Sequence, residues 1–184
     1  MPKIIPGVRN RILASARRQL IESGFNGLSL RGVAVDCHIA VGTTYNYFSS
    51  KAHLANAVME MDWEETVKQA PTKKGEAASA PEGVCAIFRA IREFIARYST
   101  VIDQERSSAS SRSKVESHRQ KLTSQIKEVL KETLQSFGYV ETDSCLMLEA
   151  ELILAASLSK DAQEADFADL TRRVIESSKV RVNV

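Results

Sequence analysis

The chain has 184 residues with a formal net charge of +2, and 43% of its residues are hydrophobic and 26% charged. These values are ordinary for a globular protein and exclude a disordered or collagen-like chain. No apolar run approaches the roughly 20 residues of a membrane-spanning helix, and the first residues lack the apolar segment of a signal peptide. We therefore expect a cytoplasmic protein without a membrane span.

Two helices are predicted at the N-terminal end. Between Val8 and Ser23 the apolar residues recur at helical spacing, and Gly24 follows at the position where a glycine relieves left-handed strain. Ser29 can then cap a second helix, whose apolar positions continue to Cys37. This second helix has only about two turns at 3.6 residues per turn.

A third and a fourth helix follow closely. The third is short and runs from Gly42 to Tyr47. Ser49 or Ser50 can cap the fourth helix, which begins at Lys51. No alternating apolar pattern of a strand interrupts this part of the chain.

The remaining two thirds predict further helices separated by polar connections. Two prolines and a glycine mark residues 71–81 as a loop, and the serine-rich stretch 105–120 is typical of a mobile connection or a frayed helix. Apolar residues at helical spacing predict helices over 82–102, 122–137, 144–159 and 165–178. The sequence therefore predicts an all-α fold.

Charge is distributed unevenly along the chain. Up to Met59 there are seven basic and two acidic side chains, a net charge of +5, whereas the remainder has 18 basic and 21 acidic side chains, a net charge of −3. A basic N-terminal third suggests contact with a polyanion. An ordinary solvated charged face is an alternative that charge alone leaves open.

Three helices of which the second and third are short and closely joined form the pattern of a helix-turn-helix unit. Residues 9–58 resemble the N-terminal domain of the tetracycline-repressor (TetR) family of bacterial transcription regulators, with GF after the first helix, SLRGVA in the second, VGTTYNYF at the recognition helix and SSK before the fourth. The resemblance implies a three-helix helix-turn-helix DNA-binding domain over 1–50 and a helical ligand-binding and dimerisation domain over 51–184.

The resemblance also implies which residues bind double-stranded DNA. They are polar, aromatic and basic side chains and one glycine: Arg31, Gly42, Thr43, Thr44, Tyr45, Asn46, Tyr47 and Lys51. Tyr45, Tyr47 and Lys51 are implied phosphate contacts, the threonines and Asn46 contact bases or nearby phosphates, and the glycine lets the backbone approach. Alternatively the tyrosines are core aromatics, but a spacing of two places them on different helix faces, so both cannot join Phe48 in the core.

Four residues of the helix-turn-helix depart from the family's pattern: Thr44 replaces a frequent leucine, and three further departures concern the turn and the start of the recognition helix. His38 stands where the turn commonly has glycine, Ala40 replaces the usual Ser or Thr cap of the recognition helix, and Val41 occupies a position that is often polar. A left-handed non-glycine residue and a lost cap each cost about 1 kcal/mol. These departures favour an alternative function, a TetR-like co-regulator that binds a protein partner instead of an operator.

The implied function is a dimeric repressor that a small-molecule inducer, unidentified by the sequence, releases from a palindromic operator. The apolar surface of residues 144–178 predicts a homodimer with two-fold symmetry. Candidates for lining the inducer pocket are large apolar and aromatic side chains: Met59, Trp63, Phe88, Ile91, Ile95 and Tyr98. For each of these, plain core packing is the alternative interpretation.

Catalytic, metal-binding and disulfide motifs are not found in the sequence. It has no HExxH, GxSxG or glycine-rich phosphate loop, so we predict neither an enzyme nor a cofactor. Three scattered cysteines, Cys37, Cys85 and Cys145, form no CxxC pair, and we expect them to be reduced and mostly buried. Cys37 and His38 are adjacent but lack further ligands at suitable spacing for a metal.

Overall fold

The computed structural model describes residues 7–72, 77–107 and 112–179. In these ranges the chain forms nine helices and no strand. The helices are α1 (Val8–Gly27), α2 (Leu30–Asp36), α3 (Val41–Tyr47), α4 (Lys51–Thr72), α5 (Ala80–Arg97), α6 (Ser99–Ser107), α7 (Arg112–Ser136), α8 (Asp143–Leu158) and α9 (Glu164–Lys179). The predicted all-α fold is confirmed.

One compact unit, here called unit 1, comprises residues 7–64 and 97–107 of the described chain. In it α1 packs against α2 and α6, and α2 packs against α3. The spacing of three and four residues along each helix brings its apolar side chains to one buried face. The core includes Ile12, Leu13, Ala16, Leu20, Leu28, Leu30, Val33, Ala34, Phe48, Leu54, Val58 and Val101.

The second compact unit, unit 2, comprises residues 65–72, 77–96 and 112–179. Here α7 packs along α8. Phe88 of α5 stacks on Phe167 of α9 with ring centroids 4.2 Å apart. The apolar core is built from α5, α7, α8 and α9 and includes Val84, Ile87, Ile91, Phe94, Ile126, Leu130, Leu134, Leu146, Ile153, Leu154 and Ile175.

The predicted helices of the N-terminal third are confirmed, with one change at the end of α1. Gly24 has φ 64° and ψ −172°, a conformation open essentially to glycine alone, so regular helix stops there as predicted. A further helical turn follows, and α1 extends to Gly27. At α4, the Ser50 hydroxyl accepts a hydrogen bond from the backbone N–H of His53 at 3.0 Å, which confirms one of the two predicted caps.

The prediction of a single helix over 82–102 is wrong. The helix begins earlier, at Ala80, and breaks at Tyr98, after which α6 begins. The Tyr98 carbonyl still accepts the backbone N–H groups of Val101 and Ile102, each at 3.0 Å, so the break leaves this carbonyl paired. No glycine or proline marks the break in the sequence. The break coincides with the burial of Tyr98 in unit 1, where its hydroxyl donates a hydrogen bond to Asp62.

Of the two predicted connections, 105–120 is largely helical, which favours the helical alternative, whereas 71–81 is helical only at its ends. Residues 105–107 end α6 and residues 112–120 begin α7, whereas 108–111 lie outside the described residues. Of the predicted loop 71–81, both ends are helical, 77–79 are not, and 73–76 lie outside the described residues. Pro81 is accommodated in the first turn of α5, where a backbone N–H has no partner within the helix.

The first division between the compact units follows Glu64. The domain boundary between residues 50 and 51 stays a prediction. The first half of α4 belongs to unit 1 because its apolar face, with Leu54, Ala55 and Val58, is buried there. No helix in the described ranges is long and apolar enough to cross a membrane.

Candidate nucleic-acid interface

In the turn between α2 and α3, the backbone N–H groups of His38 and Ile39 donate hydrogen bonds to the carbonyls of Val35 and Ala34, each at 3.0 Å. The Ser29 side chain accepts a hydrogen bond from the Gly32 N–H and so caps α2, as predicted. After α2, His38 adopts φ 52°, the left-handed conformation that the family's glycine would adopt without strain. Ala40 stands before α3 and provides no side-chain cap. The chain thus keeps the turn despite the departures at His38 and Ala40.

The side chains of α3 divide into an exposed and a buried set. Tyr45 is 53% exposed, and Gly42 and Asn46 are also exposed. Thr43 and Tyr47 are half-buried. Phe48, immediately after the helix, is buried in the core of unit 1 as predicted. The exposed set therefore presents the Tyr45 phenol, the Asn46 amide and the backbone of Gly42, which has no side chain, to a neighbouring molecule.

Thr44 is placed differently from the expectation. Its side chain is 0% exposed and its hydroxyl oxygen has no hydrogen-bond partner. It lies four residues before Phe48, so the two share one face of the chain. A buried side chain cannot contact a base, and the interpretation of Thr44 as a base contact is corrected. The spacing to Phe48 indicates that Thr44 is buried, whereas its polar residue type favours an exposed side chain.

We expect Thr44→Val to raise the free energy of unfolding by about 1 kcal/mol, because it replaces an unpaired buried hydroxyl with a methyl group of similar shape. Urea unfolding followed by circular dichroism measures this. Thr43→Val, half-buried on the same helix, is the matched control and should change stability by less than about 0.5 kcal/mol. Equal or lower stability of Thr44→Val would contradict the prediction.

Lys51, at the start of α4, already has partners within unit 1. Its ammonium donates a hydrogen bond to the Asn26 carbonyl at 2.9 Å and lies 4.7 Å from the centroid of the Phe25 ring. These contacts tie the beginning of α4 to the end of α1. An ammonium has three donors, so a phosphate contact remains open to it. Arg31, on α2, is exposed.

Most of the other basic side chains of unit 1 are also engaged. The Arg9 guanidinium lies 5.7 Å from the centroid of the Phe48 ring, and Arg11 donates a hydrogen bond to the Cys37 carbonyl. Arg17 pairs with Asp62 at 2.7 Å. The net charge counted from the sequence thus overstates the basic side chains available to a polyanion.

Asp36, at the end of α2, accepts hydrogen bonds from three side chains of α1. The donors are the Ser15 hydroxyl at 2.7 Å, Arg18 at 2.6 Å and Gln19 at 3.2 Å. These contacts hold the pKa of Asp36 below its usual value, and the hydrogen bond from Ser15 has the largest effect. The stabilisation they give is present above the pKa of the unfolded carboxyl and is lost as the pH falls through the lower folded value. They fix α2 on α1.

The six residues predicted to line an inducer pocket divide between the units. Met59, Trp63 and Tyr98 belong to unit 1, whereas Phe88, Ile91 and Ile95 belong to unit 2. Trp63, Phe88, Ile91 and Tyr98 are buried, and the other two are half-buried. A small cavity of about 10 Å³ lies in unit 2, and of the six only Ile91 lines it. Its walls are Thr66, Val67, Ala70, Ile87, Ala90, Ile91, Ile126 and Val129.

The cysteines form no disulfide among themselves in the structure. All three cysteines are free; Cys37 and Cys85 are buried as expected, and Cys145 is exposed. Burial raises the pKa of the two buried thiols. Among the described residues, no group of three or more His, Cys, Asp or Glu side chains could hold a metal ion.

Residues 12–58, which include α2 and α3, match the family model of the bacterial regulatory proteins of the tetR family. This stretch of the chain is therefore similar to the N-terminal domain of tetR-family regulators. The HTH-type transcriptional regulator UidR of Escherichia coli strain K12 is 37% identical to this chain over 59 residues. That match spans 32% of this chain and 30% of UidR.

Solved structures of similar fold extend over most of the chain. A TetR-family transcriptional regulator from Pectobacterium atrosepticum has a TM-score of 0.58 and 19% identity, and the match covers 91% of this chain and 90% of that one. The multidrug-binding protein EbrR, solved with imidazole, has a TM-score of 0.57 and 14% identity, with 92% and 90% covered. At these identities the likeness establishes the fold alone.

Proposed function

We propose that this chain is a tetR-family DNA-binding transcriptional regulator, a repressor that a small-molecule inducer releases from a palindromic operator. The observation that carries the proposal is the division of α3. Tyr45, Asn46 and Gly42 face outward, whereas Thr44 and Phe48 pack into unit 1. A recognition helix needs one face for DNA and one for the domain core.

Within this proposal the exposed residues have separate roles. Tyr45 and the half-buried Tyr47 donate hydrogen bonds to phosphates, and Asn46 reaches a base edge or a nearby phosphate. Thr43 contributes a hydroxyl at the edge of the same face. Lys51 and Arg31 add positive charge, although Lys51 also holds α4 to α1. Thr44 is not part of the proposed interface.

A small-molecule inducer is proposed to act on unit 2. The cavity between side chains of α4, α5 and α7 supports this, because its walls are apolar apart from Thr66. Its volume of about 10 Å³ holds no more than about one water, so a ligand would have to open it. The complex of the similarly folded EbrR with imidazole also supports small-molecule binding. Ile91 remains a candidate contact.

DNA binding is tested with duplex fragments that tile the DNA flanking the chain's own gene. We expect one fragment to bind far more tightly than a random duplex of the same length. Its affinity should fall by about 1,000-fold or more between 50 and 200 mM salt, because phosphate contacts release counterions. Equal affinity for every fragment, or no binding, would contradict the proposal.

A co-regulator that binds a protein is the second candidate. It is favoured by the internal partners of Lys51, Arg11 and Arg17, which reduce the charge available for DNA, and by the missing side-chain cap of α3. Failure of all fragments to bind, by a chain that unfolds cooperatively, would favour this second function.

A further inference from the structure

Two exposed side chains from different helices of unit 1 meet at the buried ring of Phe48. The guanidinium of Arg9, on α1, lies over the ring with Cζ 5.7 Å from its centroid. The imidazole of His53, on α4, meets the same ring edge to face, with the ring centroids 5.4 Å apart. We call Arg9, Phe48 and His53 the Phe48 group. It places a cation and an imidazole around one aromatic ring.

Ser49 fixes the tautomer of the His53 ring. The backbone N–H of Ser49 donates a hydrogen bond to Nδ1 of His53 at 3.4 Å, and the Ser49 hydroxyl oxygen lies 3.3 Å from the same nitrogen. A backbone N–H can only donate, so Nδ1 is an acceptor and the neutral ring carries its hydrogen on Nε2. The contact with Phe48 restrains the same ring from another side. His53 therefore presents one N–H donor, at Nε2, in an orientation set by its neighbours.

The donors of the Phe48 group are not used within the described part of the chain. There the side chain of His53 contacts Ser49 and Phe48, and neither contact involves a hydrogen bond from Nε2. The contact of Arg9 with the ring is a cation–π contact, which leaves the N–H groups of the guanidinium for acceptors. Arg17, on the same helix, is instead paired with the carboxylate of Asp62. Arg9 has no carboxylate partner among the described residues, so its positive charge is not neutralised there.

A guanidinium without an acidic partner and an oriented N–H donor together suit a phosphate. The guanidinium supplies charge and several donors to the phosphate oxygens, and the imidazole adds a hydrogen bond without adding charge. Both side chains rest on a ring that is only 2% exposed, so less side-chain freedom remains to be lost on binding. Phe48 follows α3 directly, which places the group at the end of the helix that presents Tyr45 and Asn46.

We propose that the Phe48 group binds a phosphate of the DNA backbone beside α3. Arg9 pairs with the phosphate, and His53 donates a hydrogen bond to it from Nε2. Ser49 is a positioning residue, because it holds Nδ1 as the acceptor and thereby keeps the hydrogen on Nε2. This inference rests on the proposed function and deepens it: part of the DNA affinity comes from α1 and from His53, independently of the side chains of α3 and of Lys51.

Substitutions of His53 test the hydrogen bond to the phosphate. The duplex fragment that binds the wild type most tightly is titrated at a fixed pH of about 8. His53→Ala should weaken binding about tenfold or more, because a hydrogen bond to a charged group is lost. His53→Gln can place its amide N–H near the position of Nε2 and should stay within about threefold of the wild type, whereas the shorter amide of His53→Asn reaches only the position of Nδ1 and should weaken binding as alanine does.

The salt dependence of binding separates the two donors. Arg9→Ala should weaken binding and reduce the slope of log affinity against log salt by about 1 for each chain on the DNA, because a charge that neutralises a phosphate is lost. Arg9→Lys keeps this charge and should keep the slope. His53→Ala should keep the wild-type slope, since a neutral ring releases no counterion. A loss of folding would not divide affinity and slope between the two residues in this way.

His118→Ala is the matched control, because His118 is an exposed histidine on α7 in unit 2, and it should keep wild-type affinity. Urea unfolding checks that every variant folds, and the midpoints should stay within about 0.5 M of the wild type, since the substituted side chains are exposed.

Two results would overturn the proposal while the proposed function stands. One is wild-type affinity of folded His53→Ala or an equal loss in His53→Gln and His53→Ala. The other is wild-type affinity and slope of folded Arg9→Ala. In both cases tight binding of the fragment by the wild type still supports a DNA-binding regulator. If the wild type binds no fragment, the proposed function and the phosphate site fail together.

Discussion

Leu148→Glu is expected to convert a dimer into monomers. Leu148 and Leu152 lie one turn apart on α8 and are 67% and 44% exposed in the single chain, and Leu170 and Val174 of α9 are also exposed. Exposed apolar side chains on neighbouring turns mark an interface. Two-fold symmetry places each residue in the contact twice, so one substitution buries two unpaired carboxylates and should raise the dissociation constant by about 100-fold or more.

The measurement is sedimentation of wild type and variant at micromolar concentration. Val140→Glu is the matched control, because Val140 is 82% exposed in unit 2 but lies before α8. It should leave the dimer intact. Helix content of Leu148→Glu should match the wild type, since the side chain is exposed in the single chain. A wild-type monomer, or a dimer that survives the Leu148→Glu change, would rule out an interface through residues 144–178.

Loss of the dimer has a consequence for the proposed function. In the proposed function, two copies of α3 related by a two-fold axis would bind both halves of a palindrome at once, so that the second contact would be intramolecular and gain effective concentration. A monomeric Leu148→Glu chain should therefore bind the operator much more weakly than the wild type while its α3 surface is unchanged. The exposed leucines of α8 and the exposed residues of α3 thus serve one proposed activity.

Local sequence patterns were sufficient to predict the helices of the helix-turn-helix. The Ser29 cap, the Gly24 backbone and the burial of Phe48 follow from residue type and spacing, which act within a few residues of the chain. The burial of Thr44 could also have been predicted from its spacing to Phe48. There the hydroxyl suggested a surface role, but the core of unit 1 encloses the side chain.

Long-range contacts account for what the sequence did not predict. The break at Tyr98 accompanies a hydrogen bond to Asp62, 36 residues earlier, and no local signal accompanies it. Lys51 likewise binds the Asn26 carbonyl, 25 residues away, which spacing within a helix cannot reveal. The same limit explains why Tyr98 was proposed as a pocket residue: an aromatic at an apolar position gives no sign of the partner of its hydroxyl.

Gly42→Ala is expected to separate DNA affinity from folding. Gly42 is exposed in α3, and a Cβ built there meets nothing within 4 Å, so alanine fits without displacing any neighbour. Alanine is the better helix former by up to about 1 kcal/mol, and stability should be unchanged or higher. If the α3 backbone approaches a phosphate, the added methyl group keeps it away, and operator affinity should fall about tenfold or more.

Affinity is measured by titration of the tightest fragment and stability by urea unfolding, with Met61→Ala, ten residues after Lys51 on α4, as the control that should keep wild-type affinity. Wild-type affinity of a folded Gly42→Ala chain would show that the α3 backbone does not meet the DNA at this position, and the binding face would then have to be assigned to side chains such as Tyr45 and Asn46 without the backbone at Gly42.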